Sequence, residues 1–160
     1  MRATSSPSTV TDASLTRCTS ARTRAYSARM AAVDEVAAYL ESVPGLGVRR
    51  LAHAEWGLTI PGDSVGGDPI EASLRIADGL LRVQAIALHA AGDLDPWMLL
   101  WWNRQTRLVR FGCTRSQDIW VHADIPVSNA GEQGVDRLLG LITEAVVALR
   151  GHAAGVRAAS

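Results

Sequence analysis

The chain has 160 residues with sixteen basic and sixteen acidic side chains, so its formal charge is zero. That balance excludes the dense positive surface of a nonspecific nucleic-acid binder. With 48% hydrophobic and 20% charged residues the composition is that of a globular domain, and no continuous apolar run approaches the roughly 20 residues of a membrane helix. Every basic residue is Arg, a usage that fits a GC-rich coding bias. Five Trp accompany two Tyr and one Phe, and three of those Trp fall between positions 97 and 102.

Residues 1–26 carry Arg2, Arg17, Arg22 and Arg24 against Asp12 alone, without an apolar stretch suited to a secretory signal. They read as a disordered N-terminal tail, and the protein as cytoplasmic. Met30, Val33, Val36, Ala37 and Leu40 follow helical spacing from Ser27 to Ser42, and Val43-Pro44-Gly45 stops the helix. Arg49 to Ile60 reads as one strand, with Ala54, Trp56, Leu58 and Ile60 on one face. Pro61 to Pro69, rich in Gly, Pro and Asp, reads as a plain loop.

A hairpin follows that can be checked internally. Asp78-Gly79 supplies the positive φ angles of a type I′ turn. Closing the hairpin there pairs Ala77 with Leu80, Ile76 with Leu81, Leu74 with Val83, Ala72 with Ala85 and Ile70 with Ala87. Glu71, Ser73, Arg75, Arg82 and Gln84 then share the other face. A slip of one residue would expose the apolar set, so the two alternations agree in this register alone.

Asp95 is a natural N-cap and Pro96 suits the first helical position, opening a short helix that contains Trp97, Met98, Leu100, Trp101 and Trp102. Asn103 reads as its C-cap, because Asn tolerates the left-handed conformation that ends helices. Arg107–Cys113 and Asp118–Asp124 alternate as a second hairpin. A three-residue loop, Thr114 to Ser116, sets Phe111 opposite Ile119, Val109 opposite Val121 and Arg110 opposite Trp120; a four-residue loop is the other option. Val135, Leu138, Leu139, Ile142, Ala145, Val146 and Leu149 form an amphipathic helix expected to end at Arg150-Gly151, leaving residues 151–160 as a disordered C-terminal tail. The expected fold is α+β and two-layered, an antiparallel five-stranded sheet with helices on one face, in the order α-βββ-α-ββ-α.

WMLLWWN (Trp97–Asn103), RLVRFGC (Arg107–Cys113), DIWVHADIP (Asp118–Pro126) and the helix from Val135 together resemble the type III secretion chaperone-like fold and, within it, the YbjN-like bacterial proteins. The resemblance covers about Ser27 to Arg150 and is carried at residue level by the second half; Trp at three positions of the short helix departs from the usual pattern. It implies a non-enzymatic binding, chaperone-like or regulatory module, often homodimeric, whose short middle helix contributes to the dimer contact.

The residues themselves offer little chemistry. His53, His89 and His122 have no partner at ligand spacing, so no metal site is expected. The 61–69 loop lacks the Lys of a phosphate-binding loop and the spacing of an EF-hand. Asp93 and Asp95 flank a helix start, where negative charge is stabilising in any case. Cys18 and Cys113 read as one exposed and one packed thiol without a disulfide. No catalytic residue, cofactor or nucleic-acid site is expected, and no enzyme activity. Trp97 and Trp101 share a helix face while Trp102 points about 100° from Trp101, more aromatic surface than one core face uses. Trp97, Met98, Trp101 and Trp102 are therefore the expected dimer or partner interface. Two competing readings are a small-molecule carrier or enzyme with a Trp-lined pocket, and a subunit whose Trp helix docks in a hetero-complex.

Overall fold

The computed structural model describes residues 13–92 and 94–159, with side chains from Tyr26 onward. In chain order it contains α1 (Ala13–Ser42), β1 (Gly47–Ala52), β2 (Glu55–Ile60), a single helical turn α2 (Gly62–Val65), β3 (Ile70–Ala77) and β4 (Leu80–Leu88). There follow α3 (Pro96–Gln105), β5 (Val109–Cys113), β6 (Ile119–Pro126), a short 3-10 turn and α4 (Glu132–Ala159). The strands form one antiparallel sheet of six, in the order β1-β2-β3-β4-β6-β5.

The β3–β4 hairpin has the expected register from Ala72↔Ala85 to Ala77↔Leu80, closed by Asp78 (φ 52°) and Gly79 (φ 76°). The same alternation runs through the neighbours: Trp56 faces Leu74, Leu74 faces Val83 and Val83 faces Ala123. All four are buried, as are Leu58, Ile76, Leu81, Ala85, Val109, Phe111 and Val121. Covering this face are Val33, Val36 and Leu40 of α1, and Val135, Leu138, Ile142, Val146 and Leu149 of α4. Among the described residues α4 is the helix long and apolar enough to cross a membrane. Its stripe of Val135, Leu138, Ile142, Val146 and Leu149 lies against the buried face of the sheet.

Several expectations are corrected. The sheet has six strands rather than five, because Arg49–Ile60 is a hairpin and not one strand. No Gly, Pro or Asn marks the turn at His53-Ala54. The Arg50 side chain closes it instead, donating to the carbonyls of Ala52 (3.1 Å) and His53, while its guanidinium lies 4.9 Å from the centroid of the Trp56 ring. Pro61–Pro69 is not all loop. Gly62–Val65 makes one helical turn ended by Gly66 in the left-handed region, and a Cβ on Gly62 would stand 2.1 Å from the carbonyl oxygen of Gly67.

The β5–β6 hairpin is joined by five residues, Thr114 to Asp118, with Phe111 opposite Val121 and Cys113 opposite Ile119. That shift of two keeps the faces and changes the partners: Arg110 faces His122, and Trp120 faces Gly112. Gln117 takes a positive φ (64°), and Asp118 organises the turn. Its carboxylate accepts from the Ser116 hydroxyl (2.8 Å) and the Ala90 amide (3.2 Å), and lies 3.3 Å from His89 Nδ1. Cys113, expected to be packed, is exposed at the mouth of this loop; the Cys18 side chain lies outside the described residues.

The Ser116 hydroxyl, then the Ala90 amide, hold the Asp118 carboxyl below the usual carboxylate range. A depressed folded pKa contributes stability that is present above the unfolded value near ~3.9 and is lost as pH falls through the folded value. Asp118→Asn is therefore expected to flatten the acid side of the stability profile. Thermal unfolding of both proteins from neutral to acid pH would show this, and identical acid limbs would refute it.

Both ends of the chain hold more helix than expected. Of the proposed N-terminal tail, residues 1–12 lie outside the described residues and 13–26 stand in α1. Gly151 does not end α4, which continues through the Ala-rich segment to Ala159 and buries Ala153. A glycine inside a helix costs only about 1 kcal/mol, which neighbouring Ala and tertiary contact offset.

Candidate protein-interaction site

Helix α3 begins as its sequence dictates. The Asp95 carboxylate accepts from the Trp97 amide (3.0 Å), and Pro96 occupies the first turn. Asp93 lies outside the described residues. Leu99 turns into the core, and Met98 packs half-buried against it. Trp102 also turns inward, meeting the Phe111 ring edge-on at 5.5 Å and His152 of α4 at 5.7 Å. The last turns of α4 thus support the Trp helix.

The opposite face is left to solvent. Trp97 is 75% exposed, Leu100 58% and Trp101 60%, three of the six large hydrophobic side chains exposed among the described residues. Of the four expected interface residues, Trp97 and Trp101 stand free in the single chain, whereas Met98 and Trp102 are partly consumed by packing. Leu100 joins the patch, three residues after Trp97 and so beside it on the helix surface. Beside the patch an apolar groove of about 460 Å³ runs between α3 and α4, lined by Trp101, Trp102, Phe111, Leu141, Ala145 and Ala148.

Asn103 is not a C-cap. It lies inside α3, which ends at Thr106 in extended conformation. Its side-chain amide pairs with the backbone of Phe111, Nδ2 donating to the carbonyl (3.0 Å) and Oδ1 accepting from the amide (2.7 Å). One Asn thereby does for Phe111 what a further strand would do. Thr106 Oγ1 donates to the Val109 carbonyl (2.6 Å), so α3 occupies the outer edge of β5. Spacing along the chain carries no signal for this clamp, because it joins two elements through a loop.

The three histidines do not converge. His53 lies in the β1–β2 turn with Nε2 3.3 Å from Met30 Sδ, His89 follows β4, and His122 sits in β6 on the side of the sheet away from the helices. Among the described residues no group of His, Cys, Asp and Glu is arranged to hold a metal ion.

No protein-family model and no curated protein matches the chain. Solved structures do. The type III secretion chaperone SycH of Yersinia pestis, in complex with a stable fragment of YscM2, superposes with a TM-score of 0.52 at 14% identity, covering 76% of this chain and 98% of that one. The HopA1–SchA chaperone–effector complex gives 0.54 at 15% identity, over 71% of this chain and 86% of its counterpart. The fold is that of the type III secretion chaperones. The ExsC–ExsE complex agrees, with a TM-score of 0.51 at 13% identity over 71% of this chain and 90% of the other. At identities this low the superpositions establish the shared fold alone. The resemblance read in Trp97–Asn103 and the two segments after it was therefore a resemblance of fold.

Proposed function

We propose that the protein is a non-enzymatic, chaperone-like binding module that acts in the cytoplasm as a homodimer and holds a protein or peptide partner. The exposed Trp97–Leu100–Trp101 face carries this reading. Solvating two indoles and a leucine side by side is unfavourable, and contiguous exposed apolar surface rimmed by polar groups marks an association site. A twofold contact through α3 would cover that face with its own copy. The solved chaperone with the same fold that is bound to a protein fragment, and the chaperone–effector complex, support a polypeptide as the further partner.

Strand addition is one route by which such a partner could be held. The β5 edge is already taken by Asn103 and Thr106, which leaves β1 as the available edge, exposed along most of Gly47–Ala52. The carrier reading is less well supported, because the Trp-lined hollow is a groove open along Trp101 and not an enclosed pocket.

The double variant Trp97→Ala/Trp101→Ala is expected to convert a dimer into a monomer with little loss of fold stability, about 0.5 kcal/mol or less, since both side chains are largely exposed. Light scattering coupled to gel filtration reads the result. A wild-type monomer would overturn the homodimer reading, and a dimer in both proteins would overturn the twofold contact through α3. Trp102→Ala, by contrast, removes packing within the chain and lowers stability before it alters assembly.

A further inference from the structure

The side of the sheet away from the helices is graded. Across β4, β6 and β5, Ile86 faces Trp120 and Trp120 faces Gly112. In the next row Gln84 faces His122, which faces Arg110, and beyond it Arg82 faces Asp124. Apolar and aromatic surface thus gives way to cationic surface within a few residues. Arg107 and Leu108 complete a hollow of about 480 Å³ with Arg82, Arg110, His122 and Asp124. Three guanidinium groups share it with one carboxylate, in a chain whose total charge is zero.

The three arginines are committed to different degrees. Arg82 is paired with Asp124 through Nε (2.6 Å) and Nη2 (3.2 Å). Arg110 uses Nη1 on the carbonyls of Thr106 (2.9 Å) and Val109 (2.7 Å). Arg107 is exposed and has no hydrogen bond or ion pair among the described residues. The imidazole of His122 stacks on Trp120 with centroids 6.3 Å apart and planes 16° from parallel. Burial, then the charge of Arg82, pushes the His122 pKa down. Near neutral pH the ring therefore offers an N–H donor without adding charge.

We propose that this hollow docks an acidic peptide segment in extended form, its carboxylates on Arg107 and Arg110 and a neighbouring apolar side chain on Trp120. A planar guanidinium matches a carboxylate in geometry as well as charge. Alternate side chains of an extended peptide fall on one side, about 6.6 Å apart, so one segment can present both an acid and an apolar group to adjoining rows. A nucleic acid would need a longer positive stripe than one hollow on a neutral chain. None of the patch residues Trp97, Leu100 and Trp101 lines this hollow. The inference shares with the proposed function the premise that the partner is a polypeptide, and it does not depend on the dimer.

Fluorescence anisotropy with a labelled peptide repeating Glu-Glu-Leu-Leu, in which each side of the extended chain carries both Glu and Leu, titrated with the full chain, tests it. The expected result is saturable binding that weakens with salt, about tenfold or greater loss of affinity in Arg107→Glu, and a loss in Trp120→Ala. Arg107 supports no other group, so the unfolding midpoint of its variant should be unchanged. No binding, equal binding of the matching Lys–Leu peptide, or an affinity indifferent to Arg107→Glu would overturn the proposal. Complete displacement by millimolar inorganic phosphate, or preferential binding of an oligonucleotide, would overturn it too. Light scattering separates the two readings: Arg107→Glu should leave assembly intact, and the Trp97/Trp101 variant should retain peptide binding.

Discussion

Trp56→Ala is expected to destabilise the fold by about 3–5 kcal/mol, the range for removing a buried aromatic side chain. Trp56 is 1% exposed and heads the largest fully buried side chains. It lies opposite Leu74 in β3 and beneath the guanidinium of Arg50. Truncation would lose the transfer energy of the indole and leave a cavity at the end of the sheet that the core cannot wholly close. It would also remove the ring over which Arg50 is placed, so the β1–β2 turn should loosen together with the core. Urea unfolding followed by far-UV circular dichroism measures the loss, and hydrogen exchange at Arg50–His53 reports the turn. A loss below about 1 kcal/mol would mean that this end of the sheet collapses to fill the space, contrary to the close packing on which the estimate rests.

Asn103→Ala should lower stability by about 1–3 kcal/mol, because it leaves the amide and carbonyl of Phe111 without their partner in a partly buried position. The second consequence is structural. Freeing Phe111 reopens the outer edge of β5, and an open edge is a template for pairing with another chain. The variant is therefore expected to aggregate at concentrations where the parent stays dispersed. Asn103→Asp separates the two functions of the amide, since a carboxylate can accept from the Phe111 amide but cannot donate to its carbonyl. It should fall at least as far as the alanine variant, by placing a charge against that carbonyl oxygen. Equal stability of all three proteins would show that α3 is held by Leu99 and Trp102 alone.

What could be read in advance depended on whether the information was local. The β3–β4 register was legible because Asp78-Gly79 fixes the turn and two alternations fix the faces. The α3 start was legible because Asp95 and Pro96 act within one helical turn. The β1–β2 turn was not, since nothing within LAHA (51–54) marks it and its closure comes from the side chain of Arg50. The β5–β6 register was displaced by two because Asp118 takes a partner, Ala90, from beyond β4. The role of Asn103 is hidden for the same reason: its partner is a strand on the far side of a loop.

By itself the sequence determined that the chain is a neutral α+β domain, which residues of β3, β4 and α4 face the core, and that one short helix carries more Trp than the core can use. Tertiary structure alone decided which Trp are spent inside and which face solvent, what Asn103 does, and that Arg82, Arg107 and Arg110 share one hollow around His122. Periodicity reports the face of an element, since side-chain direction repeats along the backbone. It is silent on what that face meets, because such contacts are made between residues far apart in the chain.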